Sequence, residues 1–143
     1  MPACTFFGHR DCQDTIKPKL RAALVDLITN HDVDMVYVGN QGQFDAIVRG
    51  VLCELKEEYP QINYAVVLAY MPRKQTEYDD YSDTMLPEGI ESVHPHYAIS
   101  WRNNWMLKQS DYVVTYITHT YGGAAQYAKK AQNAGKKIIN IVI

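Results

Sequence analysis

"FFGHRDC", residues 6–12, sets Phe6 and Phe7 directly before Gly8, His9, Arg10 and Asp11. The aromatic pair closes an apolar run, 3–7, of the kind that forms a buried strand, and a glycine followed by two basic side chains is an abrupt change of chemistry at its end. Similar runs, rich in β-branched or aromatic residues, recur at 35–38, 64–69, 112–116 and 137–141, and predict four further strands, all read as buried on both faces. Between the first two runs Leu20, Ala23, Leu24, Leu27 and Ile28 repeat at helical spacing, and between the next two Phe44, Ile47, Val48, Val51, Leu52 and Leu55 do the same. A last crossover, 123–133, carries Ala124, Ala125, Tyr127, Ala128 and Ala131 and stops at Gly135, a residue suited to the left-handed conformation that ends helices. Strands alternating with helices predict an α/β protein, a Rossmann-like three-layer sandwich around a mostly parallel five-stranded sheet.

Composition narrows the classes of function. A chain of 143 residues with 47% hydrophobic content suits one domain, 1–143, with a complete core. No apolar run approaches the roughly eighteen residues that span a bilayer, and Met1-Pro2-Ala3 is no signal-peptide start, so a cytoplasmic protein without a membrane partner is expected. Cys4, Cys12 and Cys53 are odd in number and widely spaced, which fits reduced, mostly buried thiols rather than disulfides or a zinc site. His94 and His96 lack a third ligand, so no metal is expected, and no motif calls for a cofactor. A net charge of −2 gives no reason to expect nucleic acid as a partner, and an anion must be held by local groups.

The stretch 70–92 breaks the rhythm with Pro72, Pro87, Gly89 and the run Glu-Tyr-Asp-Asp-Tyr-Ser-Asp at 77–83. It reads as a long loop, 70–94, and as a lid, because loops of this length inside a domain are functional or disordered and tyrosines argue against disorder. A helix over 97–109 follows, with Ile99, Trp101, Trp105 and Met106 available for packing.

In a parallel sheet the carboxyl ends of the strands share one edge, where ligands bind at the switch in strand order. Four unusual loops fall there: Gly8-His9-Arg10-Asp11, Gly39-Asn40-Gln41-Gly42-Gln43-Phe44-Asp45, Tyr70-Met71-Pro72-Arg73-Lys74, and Thr118-His119-Thr120-Tyr121-Gly122-Gly123-Ala124. Glycines let backbone N–H groups approach a ligand and helix starts add donors with partial positive charge, so the edge suits phosphate, with Arg10 as a full charge. Gly8 and Gly39 taken singly serve tight turns equally well, Gly122-Gly123 can serve close helix packing, and His9 can be a satisfied turn residue. Asp45 beside Gly42 suits either a helix cap or a ribose hydroxyl.

These stretches in order, "FFGHRDC", "VGNQGQFD", "VLAY" followed by a proline, "WRNNWM" leading to Ser110-Asp111, and "YGGA", resemble successive motifs of the SLOG (Smf/DprA–LOG) superfamily, and its small stand-alone branch with a Gly-His-Arg loop most of all. The resemblance implies a Rossmann-like nucleotide-binding domain, with Arg102-Asn103 and the Gly-Gly loop lining the pocket, and favours a homo-oligomer. It also implies ligands such as nucleotides, nucleoside phosphates or ADP-ribose-like compounds, held by enzymes or by sensors in bacterial and phage conflict. The enzymatic LOG proteins carry Pro-Gly-Gly, Gly-Thr and then a catalytic glutamate, whereas this chain reads Tyr121-Gly122-Gly123-Ala124-Ala125-Gln126-Tyr127. The missing glutamate weighs against a hydrolase. Asp45, Glu91 and Asp111 are the candidate carboxylates if N-glycosidic cleavage is nevertheless the activity. The expected function is therefore binding of a nucleotide or nucleotide-derived signal, ADP-ribose-like or cyclic, as a sensor or a sequestering protein. Gly8, His9, Arg10, Asn40, Gly42, Asp45, Arg102, Asn103, Gly122 and Gly123 are its expected ligand-binding residues. The alternative is a nucleoside-phosphate N-glycosidase or transferase.

Overall fold

The computed structural model describes residues 2–40, 42–70 and 84–142. Its chain order is β1 (Ala3–Gly8), α1 (Lys17–Asn30), β2 (Met35–Val38), α2 (Gly42–Glu58), β3 (Asn63–Val67), β4 (Thr84–Met85), α3 (Ala98–Gln109), β5 (Tyr112–Tyr116), α4 (Gly123–Asn133) and β6 (Lys137–Asn140). The six strands form one sheet in the order β4-β3-β2-β1-β5-β6, and every pairing is parallel.

β1 is apolar throughout because it is central: β2 lies on one side, pairing Ala3 with Met35, and β5 on the other, pairing Gly8 with Tyr116. Alternate residues of the strand then feed two cores. Cys4 and Phe6 join Leu20, Leu24, Leu27, Phe44, Val48 and Leu52 of α1 and α2 on one face. Phe7 joins Met106, Leu107 and Ala131 of α3 and α4 on the other. Thr5, also buried, donates its hydroxyl to the Tyr37 carbonyl at 2.9 Å, which settles its one polar group inside the sheet.

The layering follows from handedness. Crossovers between parallel strands are right-handed, so α1 and α2, which step from β1 toward β3, lie on one face, and α3 and α4, which serve steps in the other direction, lie on the other. The two sets of connections part between β1 and β5, and their loops splay apart there to leave a crevice.

Several boundaries and one strand differ from the sequence reading. The sheet has six strands, not five. β4 is two residues long, pairs with Val66 and Val67, and sits in a stretch whose composition carries no period that would mark it. The segment behind it is also ordered: Leu86 and Ile90 pack with Ala69, Ala98 and Trp101. Residues 84–92 thus belong to the fold, whereas Pro72, Arg73, Lys74 and the acidic run 77–83 of the expected lid lie outside the described residues. β6 is not buried on both faces. It is an edge strand with Lys137 and Asn140 exposed, and position in a sheet is a property of topology rather than of composition. Met35 and Tyr37 of β2 are half-buried as well, with Trp105 edge-on to Tyr37 at 5.2 Å.

One contact closes β1 against α2. A Cβ on Gly8 would lie 2.3–2.7 Å from ring atoms of Phe44, whose burial contributes about 2–3 kcal/mol. Gly8→Ala is therefore expected to lower stability by about 1–3 kcal/mol through overpacking. A Cβ on Gly50, in the middle of α2, would touch nothing within 4 Å, and Gly50→Ala should raise stability by about 0.5–1 kcal/mol. Urea denaturation of the two variants measures both, and equal stability of Gly8→Ala and the parent would mean that Phe44 can withdraw.

Candidate functional site

The site is built where β1 and β5 end side by side. The His9 N–H donates to the Tyr116 carbonyl at 3.2 Å and extends the ladder one residue past Gly8 before the chain turns away. The Arg10 carbonyl then accepts from the Gln43 N–H at 3.0 Å, joining this loop to the first turn of α2. Gly42 takes φ +84°, and a Cβ there would meet the Arg10 Cγ at 2.8 Å. Gly42 is thus a glycine because the Arg10 backbone lies against it.

Across the crevice, the loop after β5 is pinned from two sides. Asn140 of β6 accepts from the Ile117 N–H at 3.2 Å and donates to the Ile117 carbonyl at 3.3 Å, and the Thr118 N–H donates to His9 Nε2 at 3.0 Å. The imidazole of His9 lies flat on that of His119, with centroids 3.6 Å apart and planes 15° from parallel, and Tyr121 continues the stack at 3.8 Å and 17°. Burial first and the neighbouring His119 second hold the His9 pKa below its ordinary 6.5. A neutral ring is also what an Nε2 accepting from Thr118 requires. His119 Nδ1 is buried without a hydrogen-bond partner among the described residues.

α4 begins directly behind this loop. Gly122, at φ +94°, is its N-cap, and a Cβ on Gly123 would meet nothing within 4 Å. Close helix packing therefore does not account for Gly123. Helix geometry leaves the first amides of α4 without intrahelical partners, and Gly122, Gly123 and Ala124 line the crevice.

The crevice is a cavity of about 670 Å³, within the range that accepts nucleotide-sized ligands. Eight of the residues singled out in the sequence line it: Gly8, His9, Arg10, Asp45, Arg102, Asn103, Gly122 and Gly123. Arg10 is exposed and its guanidinium makes no ion pair among the described residues. Arg102 is different, being only 2% exposed. Its Nη1 donates to the Val67 carbonyl at 3.2 Å and to Asn40 Oδ1 at 3.0 Å, and its Nε donates to Asn103 Oδ1 at 3.0 Å. A Cβ on Gly39 would come within 2.8 Å of Asp45 Oδ2 and 3.1 Å of Arg102 Nη1, so both charged groups close over that glycine. Arg102 ties β3, the loop after β2 and α3 together, and Asn40 meets the site through it.

Four of the expected residues are not in the cavity wall. Asn40 lies behind it on Arg102, Gly42 faces Arg10, Glu91 is exposed on the turn Ile90–Ser92, and Asp111 is at the opposite edge of the sheet. Asp111 immediately precedes β5, and its Oδ2 accepts from the Ala3 N–H at 3.1 Å at the start of β1. That leaves Asp45, of the three candidate carboxylates, beside the cavity. Burial pushes the Cys4 thiol far up and the Cys12 thiol, with help from Asp14, to about 11, whereas Cys53 is exposed; none of the three lines the cavity. No group of three or more His, Cys, Asp or Glu side chains that could hold a metal occurs among the described residues.

The sequence placed His119 and Tyr121 in a loop at the binding edge and Tyr127 on the last crossover helix without naming any of them as a ligand-binding residue, and all three line the cavity. Tyr127 stacks on Phe7 at 5.3 Å and donates its hydroxyl to the Ser100 carbonyl at 3.2 Å, bridging α4 to α3. Its place one turn past Gly123 on α4 is the signal that could have found it. The ring stack has no such signal, because it joins loops more than 100 residues apart.

With this geometry in view, the solved structures supply a match. The chain shares its fold with DprA. The X-ray structure of DNA processing protein A (DprA) from Streptococcus pneumoniae superposes with a TM-score of 0.69 over 96% of this chain at 13% identity. The chain spans about half of the DprA structure, 49% of its length. At this identity the likeness to DprA is one of fold. It does not bear on the Gly-His-Arg loop. No family model matches the sequence, and no curated protein matches it either. Among the described residues no helix is long and apolar enough to cross a membrane.

Two outcomes test the wiring of the site. Arg102→Leu leaves the Val67 carbonyl and Asn40 without their donor and is expected to cost about 2–4 kcal/mol in urea denaturation. A loss below about 0.5 kcal/mol would mean that Arg102 is no structural tie. His9 titrates below 6.5 in the folded state, so the unfolded chain takes up its proton first. Its contribution is full above pH 6.5 and is lost as pH falls through the lower folded value. Urea midpoints measured from pH 8 to pH 5 should fall less in His9→Gln, whose amide oxygen can keep the Thr118 bond without titrating.

Proposed function

We propose that this protein binds a nucleotide-derived small molecule at the carboxyl edge of its sheet and acts as a sensor or a sequestering protein. The observation that carries this reading is the convergence of the Gly8–Asp11 loop and the amino end of α4 on one cavity at the β1–β5 switch. The amides of Gly123 and Ala124, without intrahelical partners, suit phosphate oxygens, and Arg10 supplies an exposed positive charge at the rim. Asp45 and Asn103 suit ribose hydroxyls. The SLOG resemblance points to the same class of ligand, ADP-ribose-like or cyclic nucleotides included, and to conflict between bacteria and phages as a setting. It also favours a homo-oligomer.

The enzymatic alternative, N-glycosidic cleavage, rests on Asp45, the one of the three candidate carboxylates that lines the cavity, where Asp11 also stands. One fact weighs against it. The start of α4 presents Ala124, Ala125 and Gln126 where the LOG motif has its glutamate.

The test is a thermal-shift series with AMP, cyclic AMP and ADP-ribose, followed by recovery and mass analysis of each compound. At least one is expected to raise the melting temperature and to be recovered intact. Arg10→Ala should melt at the parent's temperature without ligand and lose most of the shift. Gly123→Ala should leave stability within about 0.5 kcal/mol, since its Cβ enters open space, yet weaken binding by obstructing the amides. Release of free base would establish the enzyme instead, and absence of any shift would sink both readings.

A further inference from the structure

The stack His9–His119–Tyr121 has two different ends. At its inner end His9 stands edge-on to Tyr116, with centroids 6.3 Å apart and planes at 74°, and is held by the Thr118 N–H. At its outer end Tyr121 is 71% exposed, although one ring face is covered by His119. Among the described residues no ring covers the opposite face of Tyr121, and Tyr121 lines the cavity. An aromatic face this exposed at the end of a column of parallel rings is a stacking surface.

We infer that the open face of Tyr121 is the seat of a planar heteroaromatic ring, a nucleobase, which extends the column of stacked rings by one. This rests on the cleft reading above and names the part of the ligand that the cleft selects. Tyr121 directly precedes Gly122 and Gly123, so one nucleotide reaches both surfaces, with its base on Tyr121 and its phosphate at the first amides of α4. The platform is organised before the ligand arrives, because His9 and Asn140 pin the loop at Thr118 and Ile117. Stacking on a bare ring face tolerates any base. Discrimination between a nucleotide and a sugar phosphate then lies in Tyr121, while retention of either lies in Arg10 and the amides.

Calorimetric titration of AMP and of ribose 5-phosphate into the parent, Tyr121→Ala and Tyr121→Trp separates the two roles. The expected result is that Tyr121→Ala weakens AMP by about five- to a hundredfold, leaves ribose 5-phosphate unchanged, and melts at the parent's temperature. Tyr121→Trp should keep AMP affinity and show quenching of its added indole fluorescence on binding. Equal AMP affinity in the parent and Tyr121→Ala would overturn the base seat while the cleft reading stands. Equal weakening of AMP and ribose 5-phosphate would overturn it too, by making Tyr121 a general support of the loop. If neither compound binds the parent, the cleft reading fails and the base seat fails with it.

Discussion

The right-handedness of crossovers between parallel strands is the constraint on which this molecule depends. β2 and β3 are laid down on one side of β1, and β5 and β6 on the other. Given one permitted hand, the helices of the two halves must cover opposite faces. The loops after β1 and β5 must then leave their neighbouring strand ends in opposite directions. The cavity is what remains between them. Its walls include loop glycines and the first turn of α4 because those are parts of a βα unit that stand at the carboxyl edge.

An opening between diverging loops is useful only if its walls hold still, and three sets of contacts do this. Phe44 fills the space above Gly8 so closely that a side chain at the end of β1 would have to displace it. Arg102, buried in α3, spends its donors on β3, on Asn40 and on Asn103. A buried guanidinium is costly to desolvate and is tolerated where its donors are met, which is why the position holds the loop geometry as much as it supplies charge. The third set is the ring stack, where the neutral imidazole of His9 accepts from one loop while its face supports another. Among the described residues of the cavity wall, Arg10 is the exposed cation, at the rim, while Arg102 works inside the wall. The exposed charge thus stands outside and the fixed dipoles of α4 inside.

Much of this was readable in the residues. Apolar runs and helical spacing identify the five longer strands and the crossover helices, because a strand buried on both faces and a helix with one buried face leave distinct periods. Gly8, Arg10 and Gly122-Gly123 stand out because they interrupt those periods where a parallel sheet puts its binding edge. Asp111 could have been set aside on the same logic, since it comes before its strand and not after it. β4 could not be found this way, for two residues carry no period, and the exposure of β6 depends on its place at an edge.

The sequence by itself determined the alternation of strands and helices, the parallel sheet that follows from it, and the edge at which the loops collect. Those depend on local periodicity and on chain connectivity, both of which are one-dimensional. Only the tertiary structure decided which residues at that edge are free and which are occupied. Arg10 and Arg102 look alike in the sequence, yet one is exposed and the other is 2% exposed with its donors engaged. His9 and His119 are 110 positions apart, and nothing but the pairing of β1 with β5 lays one ring on the other. The physical reason is that hydrogen bonding and stacking are settled by distances of 3 to 4 Å between atoms, and such distances between remote residues exist only after the sheet has formed.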